Sequence, residues 1–198
     1  MAGVAETGRT AGRAMKVVLL GPPGAGKGTQ AQLLSARLAV PAISTGDMLR
    51  EAVAAGSELG KRVEGIMASG ALVDDALMAE VVRDRLSKPD ARTGYLLDGY
   101  PRTLPQAKTL EGILTDAGQQ LDAVVMVDVP VDELVRRSLL RGRADDTEEV
   151  IRERQRVYRE KTEPLIGYYR ERGLLREIDG FLPVEEVTAR MFAALGVA

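Results

Sequence analysis

Five short apolar runs punctuate the chain: KVVLL at 16–20, AIS at 42–44, YLLD at 95–98, AVVMVDV at 123–129 and LLREID at 174–179. Each is too short for a helix, and four of them run directly into glycine or proline, so they read as strands. The segments between them change period. TQAQLLSARLA at 29–39 repeats its apolar residues at helical spacing and stops before Pro41. Two short helices are expected at 47–55 and 58–68, split by Gly56-Ser57, and a longer amphipathic one at 75–88 that ends at Pro89. Further helices are expected at 105–114, 131–141 and about 147–160. Another closes at GYYRERG beyond Pro164, and the last covers 184–195. Apolar strands alternating with helices predict an α/β fold: a parallel five-stranded sheet with helices on both faces.

Composition narrows what such a fold can do. The 198 residues suit one domain with a sizeable core, and a net charge of −2 provides no field for nucleic acid or an anionic membrane. No apolar stretch is long enough to span a bilayer. The opening MAGVAETGRTAGRA lacks an apolar segment of the secretory type, and Glu6 argues against a transit peptide. Residues 1–14 are therefore expected to be a disordered extension before a domain at 15–198, working in the cytoplasm as a monomer. The chain has no Cys and no His, which removes the thiol nucleophile, thiolate-bound zinc and the commonest general base. It has 21 Arg against 6 Lys. That ratio reflects either codon bias or guanidinium forks placed for phosphates, and position must decide.

One position is telling. GPPGAGKGT at 21–29 follows the first strand and opens the first helix, which is where a P-loop must sit. It fits G-x-x-x-x-G-K, with Gly28 in the usual Ser/Thr slot and Thr29 one residue later. Glycines let successive N–H groups converge, the helix N-terminus adds partial positive charge, and Lys27 adds a full one. The bland alternative is a glycine-rich turn with a chance lysine. The flanking strand and helix favour a cradle for a nucleoside triphosphate, formed by Gly24, Ala25, Gly26, Lys27, Gly28 and Thr29.

Four further stretches concern the use of that triphosphate: ISTGDMLR at 43–50, GYLLDGYPRTLPQA at 94–107, RRSLLRGRADD at 136–146 and IRERQRVYRE at 151–160. GPPGAGKGTQ, ISTGDMLR, LLDGYPRTLPQA, GRADD, EPLIGYY and IDG, in this order, make residues 15–198 resemble the adenylate kinase family. The resemblance implies reversible phosphoryl transfer from Mg-ATP to AMP, giving two ADP. It also implies a core (15–43, 74–139 and 147–198), an AMP-binding flap (44–73) and a short lid (140–146). Lys27, Arg102, Arg141, Arg143 and Arg154 would then be catalytic. Arg137 and Gly180 would adjoin the ATP base. AMP would be held by Thr45, Arg50, Ala71, Leu72, Val73, Gly99, Tyr100, Pro101, Arg102 and Gln106, with Arg143 and Arg154. Asp98 would orient Mg²⁺ through water, with the Thr29 hydroxyl near the metal. Many bacterial members carry a lid of several dozen residues, some with a cysteine-bound zinc. Here Gly142 alone joins Arg141 to Arg143, so a short lid without zinc is expected. At Phe181-Leu182 relatives can carry a lysine, so only the Gly180 backbone transfers.

Other readings of the same residues stay open on sequence alone. Asp98 could cap the Gly99–Pro101 turn. Arg143 could pair with Asp145 or Asp146, and Arg154 with Glu149 or Glu153, as solvated surface pairs. Arg136 could take the place of Arg137. Tyr158, Tyr168 and Tyr169 read as packing residues. A UMP or CMP kinase would differ at Thr45 and Gln106, where those relatives carry alanine and asparagine. A nucleotide-dependent switch has no need of the second arginine cluster.

Overall fold

The computed structural model describes residues 14–143 and 146–197; the expectation for residues 1–13 and the pairing of Asp145 lie outside them. The strands form where the apolar runs stand: β1 Lys16–Leu20, β2 Ala42–Ser44, β3 Tyr95–Asp98, β4 Ala123–Asp128 and β5 Leu175–Asp179. They pair in parallel in the order β2-β3-β1-β4-β5. Continuous apolar runs suit this sheet because both of its faces are covered. Val18, Leu20, Ile43, Leu97 and Val124 pack on one side, and Val17, Leu19, Leu96, Val125 and Val127 on the other, nearly all with no solvent exposure. Burying each such side chain contributes about 1.5–3 kcal/mol.

Nine α-helices lie among the described residues: α1 Lys27–Leu38, α2 Thr45–Ala54, α3 Glu58–Ala68, α4 Asp75–Ser87, α5 Leu104–Asp116, α6 Val131–Arg141, α7 Glu148–Val157, α8 Pro164–Glu171 and α9 Val184–Leu195. Leu34 and Leu38 of α1 and Val187 and Met191 of α9 cover one face of the sheet. Leu77 and Val82 of α4, Leu110 and Leu114 of α5, and Leu165 and Tyr169 of α8 cover the other. Where the pattern breaks, capping residues mark the starts: Ser44, Ser57, Asp74, Thr103 and Thr147 accept N–H bonds at the heads of α2, α3, α4, α5 and α7.

Two details differ from the reading of the pattern. The helix expected at 147–160 is α-helical only to Val157 and continues as a π-helical stretch, Tyr158–Thr162, up to the proline. The fifth strand starts at Leu175, because the Leu174 amide bonds back to Tyr169 O at 3.1 Å and closes the preceding turn.

Register places the site. β1 and β3 are neighbours, and the chain leaves β1 toward β2 but leaves β3 toward β4, in opposite directions across the sheet. Leu19 of β1 and Ser44 of β2 both stand level with Asp98 of β3. The glycine loop, the start of α2 and Asp98 therefore share the carboxyl edge of the sheet at its switch point, where open α/β sheets bind ligands.

Candidate active site

The glycine loop is shaped by its backbone. Gly21, Gly24 and Gly26 have φ of 146°, 92° and 92°, conformations that side chains rarely allow. At Gly24 a Cβ would stand 2.6 Å from Leu134 O and 2.8 Å from Ser138 Oγ, so α6 also presses on the loop. Gly26 precedes α1 without a side-chain cap, and the first amides of α1 open into the cleft. From the other side, Gln155 of α7, 5% exposed, donates Nε2 to Pro23 O at 2.7 Å.

Lys27, at the first position of α1, folds its side chain back along this loop. Its Nζ donates to Gly21 O at 2.7 Å and Pro22 O at 3.1 Å. Burial lowers the ammonium below its ordinary value; Asp98 opposes the shift, and Arg102, Arg141 and Arg143 add to it. Arg102 and Arg143 are lowered likewise, first by burial and then by neighbouring guanidinium groups. A pocket whose cations hold one another down is an anion site.

These groups line one cleft of about 750 Å³. At one end the cleft takes in Gly24, Ala25, Gly26, Lys27, Gly28, Thr29, Arg137 and Gly180, and at the other Thr45, Arg50, Ala71, Leu72, Val73, Gly99, Pro101 and Gln106. Asp98, Arg102, Arg141, Arg143 and Arg154 lie between. The structure thus brings together every candidate residue except Tyr100. That side chain is 1% exposed, and it packs into the core with Val73, Leu77 and Tyr169. Gly99 and Pro101 face the cleft, and Tyr100 between them faces inward.

The second arginine cluster is organised by two carboxylates, Asp146 and Asp47. Asp146, its side chain 1% exposed, accepts from Arg141 Nε and Nη2 at 2.9 and 2.8 Å and from Arg154 Nη1 at 3.0 Å. The Arg143 amide points at the same carboxylate at 3.4 Å. Burial raises the Asp146 pKa, but the bonds from Arg141 and the charges of Arg141 and Arg154 outweigh it and leave the acid below its ordinary value. Arg154 thus has an enclosed partner in Asp146, and the Arg143 guanidinium stands 3.7 Å from Asp47 instead. Asp47 also binds Arg50, so one carboxylate at the head of α2 serves two candidate residues. Arg102 donates Nε to Gly99 O at 2.8 Å, and its carbonyl accepts from Thr162 of the π-helical stretch at 2.8 Å. Arg137 reaches Gly180 O at 3.1 Å, whereas Arg136, also in the cleft, is 61% exposed and doubly bonded to Glu133. Gln155 and Thr162 sit inside charged or polar helical stretches that carry no local mark of a site, while Asp47 and Asp146 lie within the stretches at 43–50 and 136–146 without a local sign that they hold arginines.

A metal would find little protein here. Among the described residues there is no group of three or more Asp or Glu that could hold an ion. Asp98 at the tip of β3 and the exposed Thr29 hydroxyl remain. That donor set fits Mg²⁺, which keeps most of its water and takes phosphate oxygens as ligands.

Comparison with known proteins decides the family. Residues 19–174 match the adenylate kinase family model. The chain belongs to the adenylate kinase family. It is 52% identical to the adenylate kinase of Thermobifida fusca over 185 residues, covering 91% of this chain and 98% of that one. Identity to the Thermus thermophilus adenylate kinase is 51% (91% and 97% covered), and to that of Nocardia farcinica 53% (92% and 99% covered). The adenylate kinase of Kosmotoga olearia aligns over 212 positions, at 47% identity, for the same 91% of this chain. That relative therefore contains positions for which this chain has none. Family membership makes this chain a nucleotide-binding phosphotransferase with an adenylate kinase's α/β fold, which is the activity and class the motifs implied. Among the described residues no helix is long and apolar enough to cross a membrane.

Proposed function

We propose that the cleft transfers a phosphoryl group reversibly between Mg-ATP and AMP, with ATP over the glycine loop and AMP against the flap. The observation that carries this reading is a single cleft with Lys27 and the α1 amides at one end, Arg50 at the other, and Arg102, Arg141, Arg143 and Arg154 between them. In-line transfer needs two phosphate chains held end to end and their spreading negative charge neutralised, with no covalent work from the protein. Lys27 and the amides of Gly24 to Thr29 hold the ATP phosphates, and Arg137 and Gly180 adjoin its base. Arg50 and Arg102 grip the AMP phosphate, Thr45 and Gln106 face its base, and Ala71 to Val73 with Gly99, Pro101 and Arg102 wall the pocket. Arg141, Arg143 and Arg154 clamp the group in flight. Asp98, with the Thr29 hydroxyl nearby, would hold Mg²⁺ through water, and the ion would supply further charge neutralisation.

The proposal divides the chain into a core, a flap at 44–73 and a short lid at 140–146, of which residues 144 and 145 lie outside the described ones. The additional positions in the Kosmotoga relative support a short form here. It includes a zinc-free monomer working in the cytoplasm on small nucleotides. The test is ADP formation from Mg-ATP with AMP, UMP, CMP, GMP or no acceptor. Fast, AMP-dependent turnover is expected. Equal rates with UMP or CMP would move the chain to the pyrimidine kinases, and slow hydrolysis indifferent to acceptor would leave it a switch.

A further inference from the structure

Gln106 is 2% exposed, and both ends of its amide are already engaged. Nε2 donates to Asp75 Oδ1 at 2.7 Å, and Oε1 accepts the backbone N–H of Arg102 at 2.7 Å. A carboxylate can only accept and a backbone N–H can only donate, so one of the two amide orientations satisfies both and its reverse satisfies neither. Thr103 closes the circuit: its hydroxyl lies 3.3 and 3.2 Å from the two Asp75 oxygens, and Oγ1 accepts the Gln106 N–H at 3.2 Å. The capping residue of α5 and the first residue of α4 thus hold a single side chain. Each amide end keeps one unused valence, one N–H and one lone pair, and Gln106 lines the cleft.

We propose that Asp75 is a positioning residue that fixes the Gln106 amide in the orientation that accepts a 6-aminopurine and rejects a 6-oxopurine. The inference rests on the reading that Gln106 faces the base of the acceptor nucleotide. Adenine offers a lone pair at N1 beside an N–H at C6, which complements the free N–H and lone pair of the amide as held. Hypoxanthine offers the reverse, an N–H at N1 beside an oxygen at C6, and needs the amide turned over. Turning it sets the NH₂ against the Arg102 N–H and the oxygen against the Asp75 carboxylate. The rejected base therefore meets two repulsive contacts inside the protein, which is a stronger discriminator than one missing bond.

The test compares kcat/KM for AMP and IMP, with Mg-ATP as donor, in the full-length wild type, Asp75→Ala, Asp75→Ser, Asp75→Asn and Gln106→Ala. Asp75→Ala should lower the AMP-to-IMP ratio by about tenfold, the scale of one hydrogen bond to a charged acceptor. The AMP KM should rise, the IMP rate should increase in absolute terms, and the ATP KM should stay where it was. Asp75→Ser keeps a polar helix start but cannot reach Nε2, and should match Asp75→Ala. Asp75→Asn keeps an acceptor oxygen in place and should hold the ratio within about threefold of wild type. A role in folding alone would depress both acceptors together and leave the ratio unchanged, which would overturn the proposal. If Gln106→Ala also leaves the ratio unchanged, the placement of Gln106 at the base is wrong and the proposal falls with it. If Gln106→Ala abolishes the preference while the Asp75 variants keep it, the proposal alone is wrong.

Discussion

Replacing Lys27 by methionine separates stability from chemistry. Methionine keeps much of the stem's length and packing but removes the ammonium and its bonds to Gly21 O and Pro22 O. Two charged hydrogen bonds would ordinarily contribute about 1.5–3 kcal/mol each. Against that stand the burial of the charge and its repulsion from Arg102, Arg141 and Arg143, both of which already lower its pKa. Gly21 lines the open cleft, where water can take the place of the ammonium. These terms oppose one another, so the net change should stay within about 1 kcal/mol, a shift in Tm of about 2–4 °C for a chain of this size. Catalysis has no such offset. A preorganised cation aimed at the transferring phosphoryl group is worth about 3–4 kcal/mol, so kcat should fall roughly 10²–10³-fold. The check is initial ADP formation at saturating AMP and ATP, with thermal unfolding followed by circular dichroism. A folded variant turning over within about tenfold of wild type would remove Lys27 from the transition state. A Tm lowered by more than about 10 °C would make it a strut of the loop instead.

Three further changes probe the supports of the site. Gly24→Ala must place a Cβ 2.6 Å from Leu134 O at a φ of 92°; titration should show weaker ATP binding, by about tenfold or more, with AMP binding nearly unchanged. Gln155→Leu strands the Pro23 carbonyl, which costs about 1–3 kcal/mol and should lower Tm by several degrees in a calorimeter, with a raised ATP KM. Asp146→Asn releases Arg141 and Arg154 from their shared carboxylate and should destabilise the protein at neutral pH. The sign follows from the acid's pKa being lowered in the fold. Its contribution is complete above the unfolded value of 3.8 and drains away as pH falls through the lower folded value. The stability gap between wild type and Asp146→Asn, measured by denaturant titration, should therefore close in strong acid; a gap constant with pH would contradict the ion-pair account.

What the sequence made legible was whatever chemistry forces into a local pattern. The central strands β1, β3 and β4, buried on both faces, have to be apolar runs, and a loop that wraps phosphate has to be rich in glycine, so both stood out. The arginines were visible as a class, yet their assignment came from the family resemblance, because Arg154 in RERQR looks like any solvated helix face. What stayed hidden were the partners that hold them. Asp146 sits among charges at 143–149, Gln155 is one polar residue in a charged helix, and Asp75 follows another aspartate that does the ordinary work of capping α4. Their roles arise from contacts such as Gln155 to Pro23, 132 residues apart, or Thr162 to Arg102, 60 apart, and no local window contains those. Tyr100 shows the converse: its neighbours on both sides line the cleft, but its own side chain is buried in the core.

These partners explain how a chain without histidine can run the reaction. Five cations in the cleft are held by acceptors close by in the chain: Lys27 by the loop carbonyls, Arg102 by Gly99 O, Arg50 by Asp47, Arg141 and Arg154 by Asp146. None of those bonds uses all the donors of its cation. Lys27 keeps one of three N–H groups, and the guanidinium groups of Arg50, Arg102 and Arg141 keep several of their five. The acceptors therefore fix direction while leaving protons for phosphate oxygens, so the cations need no large reorganisation when charge spreads between two nucleotides. Arginine suits this double duty better than lysine, since its planar fork can bond a carboxylate along one edge and a phosphate along another. No proton has to be removed by a base of tuned pKa, because the acceptor oxygen belongs to a phosphate that is already ionised. The catalytic work lies in holding like charges close together, and Asp146, Asp47 and Asp98 are what make that crowd of cations stable.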